Sequence, residues 1–292
     1  AAHQKKHKDG VILFYDSEFG TPPEYFKSFG IDMDRVIHTP ITDVEQLKFD
    51  ITKQLNDLEK KDNVCIVIDS IGNLASKKEV DDAMDGKSVA DMSRAKQMKS
   101  LFRIVTPHLN LKDIPMICVN HTYKEIGLYP KDIVSGGTGA YYSADAIWII
   151  GRQQDKDGTE IRGYNFVINI EKSRHVREKS KIPIMVTFEG GIMKWSGLLE
   201  VAEKGGYVVK PKVGWYEALN PATGEVLCDK MMRAKEMVDN KDFWLMMFQK
   251  TDLANYIESR YKMASSGLMS DDDSQIPEHV EEAPVVNAEE TV

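Results

Sequence analysis

The chain has 292 residues, a length that allows about two domains and is sufficient for a full core, with 42% apolar residues. Its net charge of −8 is localised: eight acids and no Lys or Arg follow Ser270, so the remaining acids balance the 38 basic residues. Three widely separated cysteines, Cys65, Cys118 and Cys228, exclude a disulfide framework and a cysteine-based metal site, and reduced thiols in a cytosolic protein are expected.

The two ends of the chain carry further expectations. Residues 266–292 are acidic and hold few large apolar groups, so we expect a disordered tail, either a solubilising end or a competitor of phosphate beside a nucleic-acid site. No signal peptide or membrane-spanning run is recognised, so no membrane partner is expected. The chain begins without Met and reaches its first strand after a short polar lead, so we expect that it is a fragment.

Apolar runs predict a series of strands. In chain order they are Val11 to Tyr15, Val64 to Ile68, Met116 to Val119, Ile147 to Ile150, Tyr164 to Ile170 and Ile184 to Phe188. The first three alternate with helices, which is typical of right-handed crossovers in a mostly parallel sheet and therefore of the α/β class. Short links join the later strands, which are predicted to extend the same sheet as antiparallel hairpins.

Two helices are predicted between the first three strands. The first has Thr42 as N-cap, with Glu45 completing a capping box, and carries an apolar face from Val44 to Leu58. The second runs from about Val89 to Val105, and Pro107 is expected to limit its end.

The pattern changes after Gly190-Gly191. A short helix near Leu198, short strands at Tyr207 to Val209 and Gly214 to Tyr216, and a closing helix from Phe243 to Tyr261 predict a small α+β domain. The predicted boundaries are therefore 1–191 for the α/β core, 192–265 for the small domain and 266–292 for the tail.

Two of the predicted strands run directly into acids, Asp16-Ser17-Glu18 and Asp69-Ser70. Carboxyl ends of parallel strands share one edge, so Glu18 and Asp69 are expected to lie together there. A carboxylate after a buried strand is costly unless it meets a cation or donors. One interpretation is that Asp69 holds the Mg²⁺ of a bound nucleotide and Glu18 positions the attacking water. The alternative is that each acid caps a following helix or loop.

Asn120-His121 ends the third strand at the same edge. A lone histidine is more often a structural hydrogen bonder, but this place also suits a phosphate sensor. The loop from Thr122 to Ser135 combines lysines with tyrosines, as single-stranded nucleic acid binding requires, although a solvated loop is equally compatible. Ser76 to Lys87 is a weaker loop of the same kind. The lysines concerned are Lys77, Lys78, Lys87, Lys124 and Lys131.

Three further segments are informative. The basic stretch from Glu171 to Lys179 is either a solvated hairpin or a source of cations for the γ-phosphate on a neighbouring subunit. Gly86-Lys87-Ser88 is not a phosphate-binding loop because Asp81 stands where the motif requires glycine, and G-x-x-x-x-G-K-[ST] occurs nowhere in the chain. Ser135 to Gly139 is glycine-rich but follows a polar segment rather than a strand, which disfavours a dinucleotide loop.

An ordered set of motifs resembles the RecA-type recombinases, in particular those of T-even-type bacteriophages, from about Val11 to Trp215. The motifs are Phe14-Tyr15-Asp16-Ser17-Glu18-Phe19-Gly20, Val67-Ile68-Asp69-Ser70-Ile71-Gly72-Asn73-Leu74-Ala75, Asn120-His121, Gly136-Gly137-Thr138-Gly139 and Glu171-Lys172-Ser173-Arg174. The resemblance implies a RecA-like P-loop NTPase core, a mostly parallel twisted sheet flanked by helices, with a small C-terminal α+β domain.

The resemblance also implies a function. Its members are DNA-dependent ATPases that use ATP and Mg²⁺, form helical filaments on single-stranded DNA, and exchange strands with a homologous duplex in recombination and repair. Mediator and single-strand-binding proteins are the further partners it implies, and the cytoplasm of an infected bacterium the location.

The resemblance assigns roles by position. It implies that Glu18 activates water, that Asp69 and Ser70 form the Mg²⁺-associated strand end, that Tyr25 packs on adenine and that His121 senses the γ-phosphate. Thr122 to Gly137, including Gly136 and Gly137, matches the second DNA-binding loop, and Ser76 to Lys87 the first. Lys172 and Arg174 match cations that reach the ATP of the adjacent protomer, and Gly214-Trp215-Tyr216 matches the small domain that contacts duplex DNA in the family.

The departure from the family pattern is at the front. The docking helix and strand and the P-loop of the family precede the strand that begins here at Val11, and no such segment is in this sequence. We therefore expect this chain alone to be inactive as an ATPase. Two alternatives stay open: another RecA-like ATPase, such as a helicase or remodeller, and a non-catalytic DNA-binding module.

Overall fold

The computed structural model describes residues 1–87, 93–126, 132–157 and 160–263, with backbone alone at residues 156, 157 and 160. The expectation of a disordered tail over residues 266–292 lies outside these residues. In the part of the chain that is described, every helix is too short or too polar to cross a membrane.

The first half of the chain builds a four-stranded parallel sheet with strand order β2-β1-β3-β4. Its elements are α1 (Ala2–Lys6), β1 (Val11–Asp16), α2 (Pro23–Ser28), a 3₁₀ turn (Met33–Arg35), β2 (Val36–Pro40), α3 (Val44–Asp57), β3 (Val64–Asp69), α4 (Lys77–Met84), α5 (Ser93–Lys112) and β4 (Met116–Cys118). Helices α3 and α5 pack together on one face of this sheet and bury its main apolar core. The prediction of a parallel α/β core is confirmed.

Helix α3 begins one residue later than the predicted capping box. The Asp43 carboxylate accepts from the Gln46 amide at 2.8 Å, and the Gln46 side chain accepts from the Thr42 amide at 3.0 Å. Thr42 is therefore not the N-cap, and Glu45 accepts instead from the Lys77 amide. The predicted apolar face is correct, since Val44, Leu47, Ile51 and Leu55 are fully buried in the core.

Helix α5 continues past Pro107 to Lys112, so the predicted stop at Val105 is wrong. Pro107 lies on the exposed face, whereas Val105 and Leu109 on either side of it are buried. Tertiary burial of that stripe outweighs the single backbone hydrogen bond that a proline removes. The predicted start of the helix falls among residues 88–92, outside the described chain.

The later strands form a sheet of their own, so the prediction that they extend the first sheet is wrong. After β5 (Thr122–Lys124), β6 (Asp132–Val134) and α6 (Thr138–Ser143) come β7 (Ala146–Asp157), β8 (Glu160–Ser173), β9 (Lys181–Thr187) and β10 (Gly191–Ile192). The last four pair antiparallel in the order β10-β9-β8-β7. Among the described strands β4 pairs only with β3, and β7 only with β8, so each sheet ends in an open edge.

The C-terminal part has a separate apolar core. It comprises α7 (Leu198–Lys204), β11 (Val208–Lys212), β12 (Trp215–Ala218), α8 (Ala234–Val238), α9 (Lys241–Lys250) and α10 (Leu253–Tyr261). The predicted closing helix is two helices, α9 and α10, because the helix is interrupted at Thr251-Asp252. Asp252 accepts a hydrogen bond there from the Tyr207 hydroxyl at 2.7 Å. The α+β content is confirmed, and the boundary at residues 191/192 stays a prediction.

Candidate functional site

The carboxyl ends of β1 and β3 meet as the sequence predicts. Asp16 and Asp69 are register partners on these neighbouring parallel strands. The two serines that follow them are linked reciprocally: Ser17 Oγ donates to the Ser70 carbonyl at 2.7 Å and accepts from the Ser70 amide at 2.9 Å. This link fixes the two strand ends to each other, and it brings Glu18 and Asp69 to one edge of the sheet.

The Glu18 carboxylate contacts three other side chains at this edge. One of its oxygens, Oε1, accepts from Ser70 Oγ at 2.7 Å and from Asn73 Nδ2 at 2.6 Å, and it lies 3.6 Å from His121 Nε2. The Ser70 hydrogen bond lowers the pKa of Glu18, and His121 and Asn73 contribute in the same direction. Glu18 is therefore an ionised carboxylate held by donors on one oxygen.

Asp69 has the opposite electrostatic setting. Burial raises its pKa, and the nearby charges of Glu18 and Asp16 raise it further. Among the described residues no donor contributes a hydrogen bond to its carboxylate. An acid that is partly buried, surrounded by acids and without a donor suits a bound divalent cation, because Mg²⁺ takes oxygen ligands and uses few protein carboxylates. In the described chain no group of three or more His, Cys, Asp or Glu side chains is placed to hold a metal.

His121 reaches the same edge from the end of β4. Its Nε2 is 3.4 Å from Ser70 Oγ. A Cβ on Gly72 would lie 1.9 Å from His121 Cδ2, so the glycine makes room for this ring. The backbone before the ring is fixed because Asn120 Nδ2 donates to the Ser135 carbonyl at 2.8 Å.

Three residues at this edge, Asp16, His38 and Asn73, were given no role from the sequence. Asp16 is buried, and its Oδ1 accepts from the amides of Glu18 and Phe19 at 3.0 and 2.8 Å. His38 Nε2 lies 3.0 Å from Asp16 Oδ2. His38 stands on β2, which was not predicted. Asn73 lies on the turn after β3, within the motif from Val67 to Ala75. The available signals were that motif and Asp16 itself, the first acid after the predicted strand Val11 to Tyr15.

Two groups of predicted nucleotide-binding residues lie away from these contacts. Tyr25 is an exposed residue of α2, with its ring edge-on to Phe29 at 5.0 Å. Lys172 donates to the carbonyls of Tyr141 and Tyr142 at the end of α6, at 2.8 and 3.2 Å. Arg174 pairs with Asp145 at 2.9 Å. None of these three contacts Glu18 or Asp69 in the described chain, so the single chain does not bring them to the carboxylates.

The segment predicted as a first DNA-binding loop is mostly helical. Ser76 caps α4, which contains Lys77 and Lys78, because its hydroxyl accepts from the Glu79 amide at 3.1 Å. Lys78 pairs with Asp82, and Lys87 pairs with Asp85 at 2.8 Å. The prediction of a loop is wrong because the capping serine and an early glutamate start a helix.

The second predicted loop is a hairpin of β5 and β6. Lys124 pairs with Asp132 across it at 2.8 Å, and Lys131 lies outside the described residues. Gly136 and Gly137 follow with φ of +89° and +77°, a backbone region that favours glycine, and Gly137 is the N-cap of α6. The glycines therefore turn the hairpin directly into α6.

Comparison with known proteins gives the family. Residues 1–193 match the family model of the RecA N-terminal domain, and residues 195–257 match that of the bacteriophage T4 recombination and repair protein, C-terminal domain. The chain belongs to the RecA family. The "Recombination and repair protein" of Enterobacteria phage T4 is 49% identical over 268 residues, which cover 91% of this chain and 68% of that protein.

More distant RecA-family relatives agree. "Protein RecA" of Mesomycoplasma hyopneumoniae is 26% identical over 77% of this chain and 67% of its own length. "Protein RecA" of Streptomyces coelicolor is 26% identical over 87% of this chain and 63% of its own length. The chain thus spans about two thirds of the length of these relatives.

Proposed function

We propose that this RecA-family chain is part of an ATP-dependent DNA strand-exchange recombinase of homologous recombination and repair. The observation that carries the proposal is the ionised Glu18 held by Ser70 beside the donor-free Asp69 at two adjacent strand ends. The 49% identical phage T4 relative is named for recombination and repair, which supports the same process.

The site residues divide the chemistry between them. Glu18 presents its carboxylate as a general base that takes a proton from the attacking water, while Ser70 and Asn73 keep that carboxylate in place. Asp69 would hold Mg²⁺, which in a nucleotide site neutralises charge on the phosphates. In this proposal His121, whose Nε2 lies 3.6 Å from Glu18 Oε1, senses the phosphate. Because β5 begins at the next residue, the same histidine connects the site to the β5–β6 hairpin.

The basic residues at the end of β8 act on a neighbouring subunit in this proposal. Among the described residues neither Lys172 nor Arg174 contacts Glu18 or Asp69 of its own chain, which supports a role in trans. Their present partners are two carbonyls and Asp145, weaker partners for a cation than a triphosphate. Subunits that contact head to tail form rings when the rotation closes and open helical filaments when it does not, and the open filament is the form proposed here.

Single-stranded DNA would follow the hairpin and the α4 segment. Lys124 on the hairpin, with Lys131 and the glycine pair Gly136 and Gly137, supplies charge and backbone access. Lys77, Lys78 and Lys87 form the second candidate group. Homologous duplex DNA, a recombination mediator and a single-strand-binding protein are the further partners proposed.

The triphosphate needs donors that Glu18 and Asp69 cannot supply, because two carboxylates repel phosphate. We propose that an upstream segment brings a phosphate-binding loop and a further strand. The open edges of β4 and β7 support this, since Ile117 on β4 and Trp148 and Ile150 on β7 are large apolar residues more than half exposed. By this proposal residues 1–292 alone bind ATP negligibly.

The deciding experiment uses the complete gene product. We expect ATP turnover that rises with single-stranded DNA, together with pairing of a labelled single strand with its homologous duplex. Turnover indifferent to DNA, with closed rings in electron micrographs, would indicate another RecA-like ATPase. DNA binding without any turnover would indicate a non-catalytic module.

A further inference from the structure

Arg94, near the start of α5, holds the backbone turn that follows β3. Its Nε donates to the Leu74 carbonyl at 2.6 Å, and its Nη2 donates to the carbonyls of Ile71 and Gly72 at 3.0 and 2.8 Å. A guanidinium is suited to this because its donors form a rigid planar fork, whereas a lysine would offer one point charge.

The turn from Ile71 to Leu74 is in direct contact with the candidate catalytic edge. Asn73 Nδ2 donates to Glu18 Oε1 at 2.6 Å, and the missing Cβ of Gly72 leaves the space for the His121 ring. The Ile71 amide is fixed on the Val119 carbonyl at 2.9 Å, and the Leu74 side chain is buried. Between these anchors, Arg94 is the residue that bonds the Gly72 carbonyl in the described chain.

The start of α5 also holds the far end of the same segment. Ser93 Oγ donates to Ser76 Oγ at 2.8 Å, and Ser76 is the N-cap of α4. Two consecutive residues of α5 therefore bond both the turn that carries Asn73 and the helix that carries Lys77 and Lys78. A rotation of the α5 start would change the position of Asn73 relative to Glu18.

We propose that Arg94 is a positioning residue for Glu18: it holds the Ile71–Leu74 turn so that Asn73 donates to the carboxylate. Arg94 itself has no contact with Glu18 among the described interactions, so it acts through the turn. The proposal rests on the proposed ATPase function and adds a residue that no sequence motif marks. A purely structural arginine would affect folding without changing the Asn73–Glu18 contact.

The test compares Arg94→Met and Arg94→Lys with Asn73→Ala in the complete gene product. Arg103→Met is the matched control, because Arg103 is an exposed residue on the same helix. We expect Arg94→Met to lower kcat with single-stranded DNA about tenfold with KM for ATP within about twofold, since small misplacement of a catalytic group is costly. The double variant with Asn73→Ala should lose little more than either single variant, because both act on one contact.

The proposal would be overturned if the loss of kcat in the double variant equalled the product of the two single losses. A kcat of Arg94→Met within about twofold of the parent would also overturn it. Hydrogen exchange of the peptide over residues 70–76 is read in parallel and needs no activity. Arg94→Met should speed that exchange about tenfold and Arg103→Met should not. Unchanged exchange would also overturn the proposal. If the parent protein shows no ATP turnover but Arg94→Met still speeds the exchange, the ATPase function is rejected and the role of Arg94 in holding the turn is kept. If the methionine variant does not fold, Arg94→Lys, which keeps the charge but loses the planar fork of donors, is measured in its place against the same criteria of kcat and exchange.

Discussion

Asp16 and His38 join two neighbouring strands behind the candidate catalytic edge, with His38 Nε2 at 3.0 Å from Asp16 Oδ2. The other carboxylate oxygen of Asp16 receives the amides of Glu18 and Phe19. One buried carboxylate thus fixes both a neighbouring strand and the backbone that carries Glu18.

Replacement of Asp16 by Ala should destabilise the protein. The amides of Glu18 and Phe19 and the His38 ring would lose their acceptor, and an unsatisfied buried polar group costs about 1–3 kcal/mol. A lowered thermal midpoint in calorimetry is the expected result. Asp34→Ala, at an exposed aspartate of the 3₁₀ turn, is the control, and equal midpoints for the two variants would contradict the role of Asp16.

Glu18→Gln should abolish most turnover and keep nucleotide binding. The amide cannot accept a proton from water, so kcat should fall roughly a hundredfold or more. ATPase rates and ATP binding in the complete gene product measure the two effects. Glu24→Gln, at an exposed glutamate of α2, controls for the change of charge. Near-normal hydrolysis by Glu18→Gln would refute the assignment.

Gly72→Ala should act through His121. The new methyl group would occupy space 1.9 Å from His121 Cδ2, and the half-exposed ring can swing out without unfolding the protein. We expect reduced turnover with a thermal midpoint close to that of the parent. In a His121→Ala background the same glycine substitution should have almost no further effect on kcat. Additive losses would show that Gly72 serves another purpose.

Asp69→Asn should stabilise the protein in metal-free buffer at neutral pH. The folded state raises the pKa of Asp69, so its ionised form costs stability above that raised pKa. As the pH falls through the window between the folded pKa and the lower unfolded pKa, the carboxyl becomes protonated and the cost disappears. The gain in thermal midpoint should therefore be present at pH 7 and shrink toward pH 4. Asp57→Asn, at an exposed aspartate of α3, should show no such gain.

Lys124→Ala combined with Lys131→Ala should weaken binding of single-stranded DNA and lower the slope of log K against log salt by up to about two units. Lys60→Ala with Lys61→Ala is the control, because these lysines precede β3, at the amino end of the sheet. An unchanged slope in the first double variant would place the DNA site elsewhere.

Truncation after Met269 should strengthen binding of single-stranded DNA, since eight acids no longer compete for the basic groups.

The local sequence pattern was sufficient to predict the central strands, the first long helix and the two acids at the strand ends. The apolar runs of β1 and β3 and the stripe of α3 identified the parallel core, and the acids after the strands identified Glu18 and Asp69. Strand β2 escaped because its five residues include His38 and Pro40 and are half exposed. The continuation of α5 past Pro107 depends on burial of Leu109, which no local rule contains.

The rest of the site depends on distant contacts. Asn73, His38 and Arg94 reach Glu18 or its supports across 22 to 55 positions of sequence, so spacing could not reveal them. The separation of the two sheets likewise follows from which strands pair, not from their composition. The rule that parallel strands end at one edge brought Glu18, Asp69 and His121 together before the structure did, and the motif order, compared with a family, assigned their roles.

The open edge of β7 gives the protein an optical reporter. Trp148 on that strand is 60% exposed, whereas Trp244 is fully buried in the C-terminal core. The side chains of a strand that paired with β7 would flank the Trp148 indole, reduce its contact with water and shift its emission to shorter wavelength, and Trp244 would be unaffected. The difference spectrum between the parent and Trp148→Phe would therefore follow completion of the sheet in real time, without a label.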